Sequence, residues 1–177
     1  MLAIILAAVS FFGLLTPDVQ QPSIWKEVSS SEGRFAVTLP ENPTTNVLAV
    51  PSLRDGQLFT HMLSGTDNNL NSFMVAWTEY PAKKPDETRW TSRTIDRMRD
   101  AFAMSRDATV FQEAAVTIQN FPGRAVSLKT TEGKIIRVQF YFVNNRIYQI
   151  TTETRASDVA DGEKFLRSFK LLPGDLI

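Results

Sequence analysis

Residues 124–154 read RAVSLKTTEGKIIRVQFYFVNNRIYQITTET, and this stretch decides the fold. Val, Ile, Phe, Tyr and Thr dominate it, which is the composition of β-strands. Two short polar interruptions, Glu132-Gly133 and Asn144-Asn145, contain residues that tolerate a positive φ, so each suits a tight hairpin turn. The pattern predicts three consecutive antiparallel strands, at residues 124–131, 134–143 and 146–154.

Apolar side chains fall on both faces of these predicted strands. With the Asn144-Asn145 turn as pivot, Val143 lies opposite Arg146, and Tyr141 lies opposite Tyr148. One face then carries Val138, Phe140, Phe142 and Ile147, and the other carries Val126, Leu128, Tyr141, Tyr148 and Ile150. A sheet with one wet side has no need of two apolar faces, so we expect other elements to cover both sides.

Two segments have the pattern of helices that cover a sheet. In Glu87–Arg106 the apolar residues Ile95, Met98 and Phe102 recur at helical spacing, opposite a charged side. A shorter closing helix begins near Ser157, a favourable N-cap residue. Its predicted inward residues are Val159, Phe165, Leu166 and Phe169. Further strands are predicted at residues 34–39, 46–50, 57–63, 72–80 and 109–118. The predicted fold is therefore α+β: a three-layer α/β/α sandwich with one twisted, mainly antiparallel sheet covered by helices on both faces.

The composition is that of one globular domain. The chain has 177 residues, enough for one ordinary domain and short for two. Lys plus Arg and Asp plus Glu each number 19, so the chain lacks the positive field that attracts nucleic acid or an anionic membrane. Cysteine is absent. That absence excludes a thiolate nucleophile, a Cys-ligated zinc, an iron–sulfur cluster and a disulfide framework.

The N-terminus carries the one targeting feature of the sequence. Residues 1–17 form an apolar, signal-like or membrane-tethering leader that is short for a transmembrane helix. Residues 18–23 then read as a linker, residues 24–173 as a single domain and residues 174–177 as a tail. We expect export to a periplasm, cell envelope or lumen, with any membrane contact made through the leader. The alternative is a hydrophobic first strand or helix, because no Lys or Arg precedes Lys26.

Three short motifs carry a family resemblance. Ser31-Glu-Gly-Arg-Phe-Ala-Val-Thr-Leu-Pro40 resembles the opening "G-R-F-S-V-x-x-P" of the PsbP-like and DcrB-like superfamily. Asn145-Arg-Ile-Tyr-Gln-Ile150 resembles its "N-R-x-Y" strand, and Lys164-Phe-Leu-Arg-Ser-Phe-Lys-Leu171 resembles its closing "F-L-x-S-F-x-L" segment. The resemblance implies an antiparallel sheet between helices in an exported accessory or binding domain, and it brings no catalytic motif.

Three residues are candidates for binding. His61 is the only histidine, and Arg137 lies between apolar neighbours on the predicted face with Leu128 and Tyr141. Trp90 opens the long helix, where it flanks a groove or packs beneath the helix. The loop around Asp67, with one carboxylate and three Asn, is typical of a plain turn more than of a calcium site.

The sequence predicts no catalytic, cofactor-binding or metal-binding residue, and it contains no Gly-x-Ser-x-Gly elbow or phosphate loop. Our leading hypothesis is a non-catalytic, exported accessory or binding domain whose partner is an extracytoplasmic protein or a small ligand. One alternative is a small hydrolase or metal-dependent enzyme centred on His61. Another is an envelope structural protein that associates with itself. The sequence leaves the oligomeric state open.

Overall fold

The computed structural model describes residues 22–52, 56–81 and 87–173, and it describes only the backbone of residue 52 and residues 87–91. The predicted leader at 1–17, most of the linker at 18–23 and the tail at 174–177 lie outside the described residues. The domain boundaries therefore stay a prediction.

Ten strands and two helices make up the described part of the chain. Their order places five strands before the long helix and four strands between the two helices. The elements are β1 (Trp25–Ser30), β2 (Phe35–Pro40), β3 (Thr44–Ser52), β4 (Gly56–Thr66), β5 (Ser72–Glu79), α1 (Glu87–Ser105), β6 (Ala108–Ile118), β7 (Phe121–Thr130), β8 (Ile135–Val143), β9 (Arg146–Thr154), α2 (Val159–Ser168) and β10 (Lys170–Leu171).

The strands form two antiparallel sheets. The large sheet has seven strands in the order β3-β4-β5-β9-β8-β7-β6, and the small sheet has three in the order β1-β2-β10. The predicted α+β class and antiparallel sheet are confirmed, but the strands do not share one sheet as expected. The second sheet is built on the β1–β2 hairpin, and the chain after α2 extends it, because α2 ends at Ser168 and Phe169 is extended. The chain then pairs Leu171 with Phe35 of β2.

The structure confirms the predicted register of one central hairpin and corrects that of the other. The Asn144-Asn145 register is confirmed, because Val143 pairs with Arg146 and Tyr141 pairs with Tyr148. The Glu132-Gly133 register is wrong by one residue, because Leu128 pairs with Ile136.

The loop length explains this shift. Thr130 N donates to Lys134 O at 3.0 Å, and Gly133 has φ +84, which gives a three-residue loop with a left-handed glycine instead of a two-residue turn. A one-residue slip moves every side chain to the other face. Val126 and Leu128 therefore lie with Val138 and Phe140, away from Tyr141.

Two apolar cores result, one on each face of the large sheet. Under α1, Ile95 packs with Val126, Leu128, Ile136, Val138 and Phe140. On the other face the small sheet and α2 pack together, with Phe35, Val37 and Leu39 from β2 and Phe165 from α2 against the residues of β5, β8 and β9. The covering layer on this second face thus combines a sheet with a helix, which differs from the layer of helices alone that the sequence predicted.

Candidate functional site

An open cleft of about 380 Å³ lies at one end of the large sheet, where β4 and β5 meet the turn between β8 and β9. The residues that line the cleft are Gln57, Leu58, Phe59, His61, Glu79, Tyr80, Pro81 and Asn145.

His61 lies in this cleft and is oriented from two sides. Its ring stacks on Trp77 with a centroid distance of 5.1 Å and an interplanar angle of 15°. Its Nδ1 atom lies 3.2 Å from Oε1 of Glu32, which belongs to the turn between β1 and β2. The small sheet therefore supplies a carboxylate to a histidine of the large sheet, a contact that sequence spacing did not indicate.

Glu79 forms the fixed acidic rim of the cleft. Arg146 Nη2 donates to Oε2 at 3.0 Å, and Asn145 Nδ2 donates to Oε1 at 3.1 Å. The hydrogen bonds from Arg146 and Asn145 lower the pKa of Glu79 below its usual 4.5. The side chain is 56% exposed, so a charged and immobilised carboxylate faces the solvent in the cleft.

Arg146 lies beneath this rim and is 5% exposed. Its Nη1 atom donates to the carbonyl of Gly33 at 3.2 Å and to Tyr148 Oη at 3.1 Å, and Tyr148 in turn donates to the same carbonyl at 2.8 Å. Its Nε atom has no hydrogen-bond partner among the described residues. Burial lowers the pKa of the guanidinium, but the hydrogen bonds to Tyr148 and Glu79 outweigh burial and raise the pKa above its ordinary value. Arg146 is therefore a permanent cation that holds the small sheet and the cleft rim together.

Four exposed apolar side chains lie on β3 and its neighbour β4 beside the cleft, and we call them the edge surface. It consists of Val47, Leu48 and Val50 on β3 and Phe59 on β4, which are 54%, 55%, 37% and 50% exposed. The register pairs Val47 with His61 and Ala49 with Phe59, so Val47 and Phe59 lie on the same face as His61. Leu48 and Val50 point to the opposite face.

The other two predicted candidates lie elsewhere. Arg137 is on β8, where its Nη1 atom contacts Oε1 of Glu163 on α2 at 2.6 Å, and Glu163 also pairs with Arg167 at 2.7 Å. Arg137 thus fastens α2 to the sheet, on the face of Tyr141 but not of Leu128 as expected. Trp90 lies in the first turn of α1, and its side chain is outside the described residues.

The loop around Asp67 closes on itself. The Asp67 carboxylate accepts hydrogen bonds from Asn69 N, Asn71 N and Asn71 Nδ2, each at 2.9 Å. This is the plain turn that the sequence favoured. Within the described ranges, no three His, Asp or Glu side chains are placed to hold a metal ion. No helix in those ranges is both long and apolar enough to cross a membrane.

Sequence reasoning found His61 but missed the residues that organise the site. Glu79 and Arg146 are 67 positions apart, and Arg146 and Gly33 are 113 apart. The one available signal was the Asn145-Arg146-Ile147-Tyr148 motif, because an arginine and a tyrosine amid apolar strand residues need buried partners. That signal identifies the donors and leaves their acceptors open.

Comparisons with known proteins show the fold. No protein-family model and no curated protein sequence matches the chain. Among solved structures, cyanobacterial PsbP from Synechocystis sp. PCC 6803 matches with a TM-score of 0.54 and 12% identity, over 88% of this chain and 96% of that one. The predicted PsbP-like resemblance is thus confirmed as a likeness in fold.

Two further solved structures match less closely. The Ran-binding protein Mog1p of Saccharomyces cerevisiae has a TM-score of 0.46 and 12% identity, over 88% of this chain and 99% of that one. Protein PA94 of Pseudomonas aeruginosa, of unknown function, has a TM-score of 0.43 and 11% identity, over 81% of this chain and 91% of that one.

Replacing Glu79 with Gln tests the fixed rim. At about pH 7 we expect the free energy of unfolding to fall by about 1 kcal/mol, a discounted value because solvent screens a half-exposed carboxylate. The folded-state pKa lies below 4.5, so this stabilisation is present above pH 4.5 and is lost as the pH falls through the lower folded value. Urea unfolding at about pH 7 and about pH 3 should show the difference from wild type shrinking at the lower pH.

The matched control is Glu132→Gln, in the turn between β7 and β8. It should change the free energy of unfolding by less than about 0.5 kcal/mol at either pH. A Glu79→Gln difference that grows as the pH falls would contradict the rim assignment.

Proposed function

We propose that this protein is a non-catalytic binding domain that acts outside the cytoplasm and docks a protein partner at the edge surface and the His61 cleft. The observation that carries the proposal is that the edge surface and the His61 cleft are continuous. Val47 and Phe59 are about half exposed and lie on the face of His61, next to the immobilised Glu79 carboxylate. Contiguous apolar surface with a polar rim is typical of protein–protein docking sites.

The shape of the cleft favours a protein over a small molecule. Small-molecule sites enclose most of the ligand surface, whereas this cleft is open and shares Phe59 with the edge surface. Its polar groups are fixed before any partner arrives, because Glu79 is held by Arg146 and Asn145. A preorganised rim reduces the entropy that docking costs. Phe59 then serves as the apolar anchor of the contact.

The extracytoplasmic setting rests on the apolar leader and on the motif resemblance to an exported superfamily. We expect the protein recovered from its own cells to be in an extracytoplasmic fraction, with a mature N-terminus near Val19–Ile24. Cell fractionation with N-terminal peptide mass spectrometry measures both. An intact Met1 in the cytosol would refute export and leave the docking surface to be tested by itself.

Photo-crosslinking in the producing cells tests the docking surface. With p-benzoylphenylalanine in place of Phe59, we expect an adduct of discrete mass that contains a second, different protein. The matched control is the same substitution at Phe111, which is 55% exposed but lies on β6 at the far edge of the sheet. Adducts of equal yield at both positions would contradict the proposal.

A second candidate function is hydrolysis by general-base catalysis, and the contact between His61 Nδ1 and Glu32 favours it. A carboxylate that accepts from Nδ1–H leaves Nε2 free to take a proton from water. The purified protein with p-nitrophenyl acetate separates the two functions. The binding proposal expects equal rates for the wild type, His61→Ala and Glu32→Gln. A loss of rate in His61→Ala with a smaller loss in Glu32→Gln would favour the enzyme.

A further inference from the structure

The two edge strands of the large sheet differ in how they are protected from pairing with another chain. The outer strand β6 has a register irregularity between Val110 and Gln112, and its Glu113 pairs with Arg99 and Arg124, each at 3.0 Å. A bulge and inward-bound charges are common ways to keep an edge strand from pairing with another chain. The opposite outer strand, β3, carries no charged residue along Thr44–Ser52.

β3 is also long and apolar on both faces. It has nine residues, and β4 is its one neighbouring strand among the described residues. Val47 is exposed on one face, and Leu48 and Val50 are exposed on the other. Two features of β3 oppose pairing with another strand. Asn46 Oδ1 accepts a hydrogen bond from Val47 N at 2.8 Å, and Pro51 has no N–H to donate. Such an edge is a template for strand pairing.

We propose that β3 pairs with β3 of a second copy of this chain, so that two large sheets join into one. A second copy is the occupant that the charges favour, because β3 is neutral and the whole chain has a net charge of 0. No electrostatic repulsion opposes self-association. A two-fold related copy also presents the same apolar residues on the same faces, which makes the contact self-complementary.

The hydrogen bond from Val47 N identifies the register. In an antiparallel ladder every second residue of an edge strand directs its backbone groups outward. Val47 N donates to Asn46 Oδ1, and Pro51 has no N–H to give β4, so we assign Thr45, Val47, Ala49 and Pro51 to the outward set. A two-fold axis at Val47 pairs Thr45 with Ala49 of the copy and makes about six backbone hydrogen bonds. Pro51 falls beyond these pairs, so its missing donor costs nothing. Asn46 must release the Val47 amide.

This pairing extends the proposed function without resting on it. The two-fold axis of an antiparallel strand pair is perpendicular to the sheet, so both His61 clefts lie on one side of the dimer. Val47, Ala49 and Phe59 of the two copies then form one apolar strip between the clefts. The dimer thus presents two immobilised Glu79 carboxylates, one in each cleft, to a partner protein. The shared apolar strip lies between them.

Sedimentation velocity of the purified full-length protein tests the dimer. We expect a concentration-dependent equilibrium between monomer and dimer, and Val47→Lys should raise its dissociation constant at least about tenfold, because two lysines would meet at the axis. Phe111→Lys is the matched control, since Phe111 is 55% exposed and Val47 is 54% exposed. It should leave the constant unchanged. A monomer at all concentrations, or equal effects of the two variants, would overturn the proposal.

The absence of cysteine allows a direct test of the register. Single-cysteine variants are oxidised and the covalent dimer is quantified. Val47→Cys should cross-link readily because its two sulfur atoms meet at the axis, whereas Val50→Cys should not, since its two copies are about 20 Å apart. Faster cross-linking at residue 50 would refute this register. Loss of the dimer with a retained Phe59 adduct to another protein would refute the pairing and keep the binding function.

Discussion

The structure depends on one buried carbonyl, that of Gly33. It accepts hydrogen bonds from Tyr148 at 2.8 Å and from Arg146 at 3.2 Å, and so ties the small sheet to the central strand β9 of the large one. Only glycine suits this position, because a Cβ atom here would lie 2.4 Å from Phe35 Cε1. With the turn fixed, Phe35 enters the aromatic core beside Trp77 and Tyr148, and Glu32 reaches His61.

Burial of the Arg146 guanidinium carries a cost in free energy. A buried guanidinium costs several kcal/mol unless its donors find acceptors, and one of the donors of Arg146, Nε, lacks an acceptor among the described residues. Replacement by an apolar residue would remove that cost and also the contact from Arg146 to Gly33 that joins the two sheets. Apolar contact between the sheets is non-directional and permits sliding. The directional contact to Gly33 defines one arrangement of the sheets, and the contact to Glu79, which lies within the large sheet, fixes the cleft rim.

Local sequence patterns predicted the features that short-range interactions determine, namely strands and tight turns. Period-two alternation located the strands, and the Asn144-Asn145 turn set its hairpin register correctly because a two-residue loop leaves one pivot. The Glu132-Gly133 hairpin failed because the glycine occupies the last position of a three-residue loop, which composition alone does not distinguish. The small sheet was missed because Trp25–Ser30 was not predicted as a strand and because β10 has two residues, too few for any periodicity. His61 was found as the lone histidine, whereas its partner Glu32 needed the docked sheets.

The residues that carry the resemblance and the residues that carry the proposed function are different sets. Gly33, Phe35, Arg146, Tyr148 and Phe169 come from the three motifs, and all five are buried in the frame between the sheets. Val47, Phe59 and Glu79 lie outside the motifs and face the solvent. Buried residues between the sheets determine the fold, whereas the exposed side chains at the open end determine what the surface can contact. The likeness in fold therefore concerns the residues between the sheets, and the binding role proposed for β3 to β5 depends on the exposed side chains of this chain itself.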